Sequence, residues 1–236
     1  MNSRNTLILS LILNIVLVIG MCALGVHYRW IYKMVNIIEK KPIPRSQDYL
    51  TTISWNHTME SLSYEADVVF FGASITSDGH WEDYFDTLKI CNLGKSGDRL
   101  ETMMWRIPQI TAVHPKKILL SMEQNDMYNL SLEEIEKSYN KLIDEIVRTN
   151  PQSKLYLESL TPLNERQFKR VCDNGKIKQV NGIIKKVAKE RDCPYIDLYK
   201  IYEEDGQLPM LLSTDGQHLK PEAYDRWANV LLEFFR

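Results

Sequence analysis

An excess of either charge is missing from this sequence: 29 lysines and arginines stand against 31 aspartates and glutamates in 236 residues, a formal net charge of -2. Nucleic-acid binding calls for a strongly basic face, so the balance gives no reason to expect nucleic acid as a partner and favours a neutral ligand. Cysteine is scarce too. Cys22, Cys91, Cys172 and Cys193 show neither C-x-x-C spacing nor a neighbouring histidine cluster, which leaves no zinc site and makes them small apolar residues. Internal repeats and Gly/Ser-rich linkers are also lacking, so the globular part is one domain. At 44% hydrophobic and 25% charged residues, it can bury a real core and is not compositionally disordered.

Long apolar runs are absent except at the start. From Thr6 to Val26, twenty-one residues pass without a charge, enough to cross a hydrocarbon core that needs roughly 20. A cleaved signal peptide has a shorter apolar region of roughly 7–15 residues. Residues 1–27 are therefore expected to be an uncleaved signal anchor and membrane-spanning helix. Arg4 precedes the segment; Arg29, Lys33, Lys40, Lys41 and Arg45 lie beyond it. Those later basic residues would keep the domain in the cytoplasm by the positive-inside rule, whereas a hydrophobic segment at the extreme N-terminus usually exports the domain behind it. Export, with the domain outside the cytoplasm, is the expectation. Residues 28–63 read as a juxtamembrane linker whose short amphipathic helix is broken by the prolines of KPIPR.

From residue 64 to the end, short apolar runs alternate with longer segments of helical spacing. Strands are expected at 67–72, 89–94, 116–122, 154–160 and 194–199. Helices are expected at 98–113, 131–149, 176–191 and 221–235, the last opening with Pro221 at a favourable first-turn position. Such alternation implies βαβ units: a parallel sheet covered by helices on both faces. Ligands of an open α/β sheet bind outside the carboxyl ends of its strands, which directs attention to four loops.

The first, GASIT, puts Ser74 in a turn between strand and helix, where an ordinary reading makes it a helix cap. The second, NLGKSGD, holds Gly97, whose N–H can approach a ligand because no Cβ intervenes. The third, EQND, presents the Asn125 amide as a neutral donor; Asn-Asp could equally cap the next helix. The fourth, DGQH, places Asp215 three residues before His218, so that one loop can aim both side chains alike. A serine nucleophile needs a base, and that base needs an orienting group. Taken singly, each loop has an unremarkable structural reading.

In chain order, Ser74, Gly97, Asn125, Asp215 and His218 together resemble the SGNH hydrolases, the GDSL esterase/lipase family, over most of residues 64–235. The resemblance implies a flavodoxin-like three-layer α/β/α sandwich with a five-stranded parallel sheet, and ester hydrolysis through an acyl-serine intermediate. It implies Ser74 as nucleophile, His218 as general base and then acid, and Asp215 as its orienting partner. The N–H groups of Ser74 and Gly97, with the Asn125 side chain, would form the oxyanion hole. No cofactor or metal is implied, and the oligomeric state is left open.

Two positions depart from the family pattern. Ala73 stands where Asp or Asn usually precedes the serine, removing a side chain that braces the turn. Glu123 stands where the third block usually has glycine, bringing a carboxylate near the oxyanion region. Trp81, Met103, Met104 and Trp105 read as core, and 161–170 as a solvated loop. The expected function is hydrolysis of small acyl esters, acetyl above all, on carbohydrate or related hydroxyl compounds. An O-acyltransferase of a cell-envelope glycan and a catalytically weakened, membrane-anchored glycan-binding module are the alternatives.

Overall fold

The computed structural model describes residues 47–61, 65–168 and 172–235. The expected signal anchor lies outside them, and no helix among the described residues is long and apolar enough to cross a membrane.

Five parallel strands run in the order β2-β1-β3-β4-β5: β1 (Val68–Phe71), β2 (Ile90–Asn92), β3 (Lys117–Ser121), β4 (Lys154–Glu158) and β5 (Tyr195–Ile196). All five fall inside the stretches read from the sequence. Their near-continuous hydrophobicity follows from burial on both faces. Val69, Phe71, Ile118, Leu120 and Leu157 join one core beneath α4 (Leu100–Ala112), α5 (Leu132–Thr149) and α6 (Asn174–Glu190). Val68, Phe70, Leu119, Tyr156 and Ile196 join the other, against α3 (Trp81–Tyr84), α7 (Leu198–Tyr202) and α8 (Pro221–Phe235). This is the expected three-layer sandwich.

Helices α5 and α6 begin where a side chain satisfies a first-turn N–H. Ser131 and Glu134 form a reciprocal capping box on α5, with bonds of 3.3 and 2.8 Å, the pairing that Ser-x-x-Glu encodes. Asp173 accepts from Lys176 N–H on α6 at 2.7 Å. Trp81 is wholly buried, its ring stacked on Phe70 at 4.3 Å between centroids and edge-on to Trp227 at 4.7 Å. Its reading as core holds.

Three local features differ from the sequence reading. The fifth strand covers only Tyr195–Ile196, because Asp197 caps α7 by accepting from Lys200 N–H at 3.1 Å. Within the segment read as linker, α1 (Gln47–Ser61) forms, and its Asn56 bonds Trp105 C=O and Gln109 at 2.9 and 2.8 Å. The loop after β4 is also no solvated surface. Thr161 to Asn164 are buried, and Asn164 donates from its side chain to Leu208 C=O at 2.8 Å and from its backbone to Gly216 C=O at 2.8 Å.

Strand β1 connects to β2 on one side and lies beside β3 on the other. The carboxyl ends of β1 and β3 therefore flank a switch point in strand order, where a crevice opens.

Candidate active site

Ser74 opens α2 (Ser74–Ser77), three residues past the end of β1, and is buried at 5% exposure. Its Oγ lies 3.0 Å from Nε2 of His218. On the far side of the ring, Nδ1 lies 2.8 Å from Oδ2 of Asp215. A carboxylate at that distance fixes the tautomer with the proton on Nδ1, leaving Nε2 as acceptor for the serine hydroxyl. The three side chains, read from two separate loops, meet in one chain of contacts. His218 and Asp215 keep 34% and 49% of their side-chain surface open, so substrate and water reach them.

The loop carrying Asp215 and His218 is tightly organised. Oδ1 of Asp215 accepts the N–H groups of Gln217 and His218 at 2.9 and 2.8 Å. Burial tends to raise the pKa of this carboxyl, but the bonds from the His218 backbone, the His218 ring and Gln217 outweigh it and hold it below the usual aspartate value. Gly216 makes the bend at φ +92°, where a side chain would be strained. Its C=O is held by Asn164, which makes the buried loop after β4 a support for the histidine loop.

Gly97 and Asn125 stand at the ends of β2 and β3. Gly97 has φ +77° with open space around its Cα, so glycine is required there by backbone conformation rather than by crowding. The Asn125 amide donates one N–H to Asp98 C=O at 2.8 Å, clamping this loop to the β3 loop. Its second N–H, and the backbone N–H groups of Ser74 and Gly97, find no partner among the described residues.

The Gly97 loop is anchored from below. Asp98 and Arg106 form an ion pair with side chains 1% and 4% exposed, and Thr102 Oγ1 donates to Asp98 at 2.6 Å. Arg106 also donates to Leu93 C=O. Asp126 accepts Leu100 N–H at 2.9 Å, so the Asp of EQND caps α4, which precedes it, rather than the next helix. Burial lifts its pKa to about 6.

Glu123 occupies a place the sequence reading left open. Its Oε1 accepts the N–H groups of Ala73 and Thr76 at 2.9 and 3.0 Å, and its Oε2 that of Ile75 at 2.9 Å. Oε2 also lies 3.3 Å from Ser74 Oγ. The carboxylate is thus turned onto the nucleophile turn, supplying the brace that Ala73 lacks. Burial pushes its pKa up, against the three N–H bonds that favour the charged form. The carbonyl end of the turn is held as well: Tyr224 Oη donates to Ile75 C=O at 2.8 Å, and Trp81 Nε1 to Thr76 C=O at 2.9 Å. Sequence reasoning missed Glu123, Asn164 and Arg106 as supports, because their partners lie on other elements.

A model of the GDSL-like lipase/acylhydrolase family matches residues 70–226. The chain belongs to that family. The match runs from within β1 to the first part of α8 and includes every residue of the site. The N-acylneuraminate cytidylyltransferase of Streptococcus agalactiae serotype V is 25% identical over 162 residues, 68% of this chain but only 37% of that protein. The chain thus spans about a third of the length of that curated relative. Among solved structures, a GDSL-like lipase from Bacteroides thetaiotaomicron superposes with a TM-score of 0.66 at 21% identity, covering 79% of this chain and 96% of the other. An acetyl xylan esterase superposes with a TM-score of 0.61 at 21% identity, covering 71% and 98%. These two likenesses are of fold.

Proposed function

We propose that the protein is a serine esterase that removes small acyl groups, acetyl foremost, from carbohydrate or related hydroxyl compounds. The observation that carries this reading is the contact chain Ser74–His218–Asp215, at 3.0 and 2.8 Å, on a family scaffold. Ser74 Oγ attacks the ester carbonyl while its proton passes to His218 Nε2, and Asp215 steadies the imidazolium that forms. The oxyanion then takes the N–H groups of Ser74 and Gly97 and the second N–H of Asn125, donors that no group among the described residues occupies. Collapse of the tetrahedral intermediate expels the alcohol, which takes the proton from His218. Water, activated by the same imidazole, releases the acid and restores Ser74.

The small acyl group and the carbohydrate are supported by the likeness in fold to an acetyl xylan esterase. A cavity of about 380 Å³ lined by Leu219, the residue after His218, with Asp78, His80, Asp83, Tyr84, Pro221 and Tyr224 offers polar and aromatic walls suited to a sugar. Tethering by residues 6–26, with the domain outside the cytoplasm, is part of the proposal. Retention in the membrane pellet after alkaline carbonate washing, and protease access in intact cells, test it.

The decisive experiment incubates the full chain with p-nitrophenyl acetate and with a fluorophosphonate, alongside Ser74→Ala. Turnover and a single covalent adduct, both lost in the variant, support the acyl-serine reading. A folded wild-type protein that neither turns over nor labels overturns it. Adding a sugar acceptor and following acyl transfer against release of acid separates a transferase from a hydrolase.

A further inference from the structure

Helix α2 has only four residues, and its N-terminal N–H groups, like those of any helix, need acceptors from outside. The usual solution is a Ser, Thr, Asp or Asn at the N-cap, whose side chain accepts from the second or third helical residue. In this chain the N-cap is Ala73, which offers no side-chain bond. Glu123, from just beyond β3, performs that task. Its Oε2 takes the second residue, Ile75, and its Oε1 takes the third, Thr76, together with the N–H of the N-cap itself. A single carboxylate from another element thus does the work of both halves of a capping box.

Of the four consecutive N–H groups from Ala73 to Thr76, only that of Ser74 is left untaken among the described residues. We propose that Glu123 is the positioning residue of the nucleophile: it replaces the missing N-cap, fixes where Oγ stands, and reserves the Ser74 N–H for the oxyanion. This rests on the esterase reading above. Oε2 is 3.3 Å from Ser74 Oγ against 3.0 Å for His218 Nε2, and it already accepts from Ile75. The imidazole is therefore the better acceptor for the single hydroxyl proton.

The three backbone partners are all donors, so both carboxylate oxygens must accept. Glutamine cannot do this. Its NH2 would face either Ile75 N–H or the pair at Ala73 and Thr76. Glu123→Gln and Glu123→Gly are therefore expected to lower kcat for p-nitrophenyl acetate roughly 100-fold, the scale on which small misplacements of reacting groups act, with KM little changed. The rate of fluorophosphonate labelling should fall in parallel. Ala73→Asp alone sets a second buried carboxylate beside Glu123 and should also be impaired. Combined with Glu123→Gly, Ala73→Asp supplies a cap from the turn itself, and kcat should return to within about tenfold of wild type.

The two readings give different outcomes. A folded wild-type protein that does not label sinks the esterase reading, whatever Glu123 does. Labelling by wild type together with an unchanged kcat in a folded Glu123→Gln overturns the positioning role. Should that variant not fold, the double variant decides: folded with kcat restored supports the proposal, folded with kcat still depressed overturns it.

Discussion

The indole N–H of Trp227 donates to Oε1 of Glu158 at 2.8 Å, joining α8 to the end of β4. Glu158 is 1% exposed, and this is the one hydrogen bond of its side chain among the described residues. Burial raises its pKa to about 8; the Trp227 bond works against the rise and the nearby charge of Glu123 adds to it. Glu123, also buried, differs in having three N–H donors that favour its charged form.

This burial makes stability depend on pH. Unfolded, Glu158 loses its proton near the ordinary value of 4.5; folded, it keeps it until about 8. The folded form binds the extra proton between those values, so stability from this group is fully present below the lower one. It is lost progressively as pH rises towards the upper one. At about 1.4 kcal/mol per unit, the loss by pH 8 is on the order of a few kcal/mol. Urea denaturation of wild type and Glu158→Gln from pH 5 to 8 should show the wild-type curve falling more steeply. Parallel curves would mean that Glu158 is already ionised in the fold.

Asn125 holds Asp98 C=O with one N–H and offers the other to the crevice. Replacement by alanine removes a donor of the kind whose loss costs about 10²–10³ in kcat. Initial rates with an activated ester should show that loss in kcat, while the fluorophosphonate still labels Ser74. A kcat within threefold of wild type would remove Asn125 from the oxyanion hole.

Asp215→Asn tests the orientation of the imidazole. The new amide can still accept from Gln217 and His218 N–H through its oxygen, but its NH2 then faces Nδ1 and favours the tautomer protonated on Nε2. That tautomer donates to Ser74 instead of accepting. Loss of kcat by about 10³–10⁴-fold is expected, with the thermal transition little changed because the residue is half exposed. An active variant would show that solvent, rather than Asp215, orients the ring.

Legibility in the sequence tracked the range of the interactions. The strands were readable because β1 and β3 are continuous apolar runs, and α5 because its capping box and apolar spacing are both local. Ser74, Gly97, Asn125, Asp215 and His218 were readable as a set of loops at one sheet edge. The contacts that hold those loops were not. Glu123 reaches residues about fifty positions earlier, and Asn164 braces Gly216 from another loop. In the sequence, Ala73 and Glu123 look like two separate losses. In three dimensions they compensate each other, because the carboxylate missing at the N-cap returns from β3. The mixed charge of 161–170 likewise hid a buried half, since Thr161 to Asn164 are covered by groups far along the chain.

Arg106 is the deepest of these supports. Its guanidinium sits 5.2 Å from the centre of the Phe71 ring and bonds both Asp98 and Leu93 C=O. Arg106→Met keeps most of the packing volume but strands the Asp98 carboxylate in the core with Thr102 as its remaining side-chain partner. Removing one member of a buried pair costs about 3–5 kcal/mol, which denaturant titration should show directly. The same change frees the loop that carries Gly97, so kcat should fall even at temperatures where the variant is folded. Asp98→Asn keeps an oxygen for Arg106 but leaves the buried guanidinium without its counter-charge, so it too should cost stability. Wild-type stability in both variants would show that the buried pair makes no net contribution to the fold.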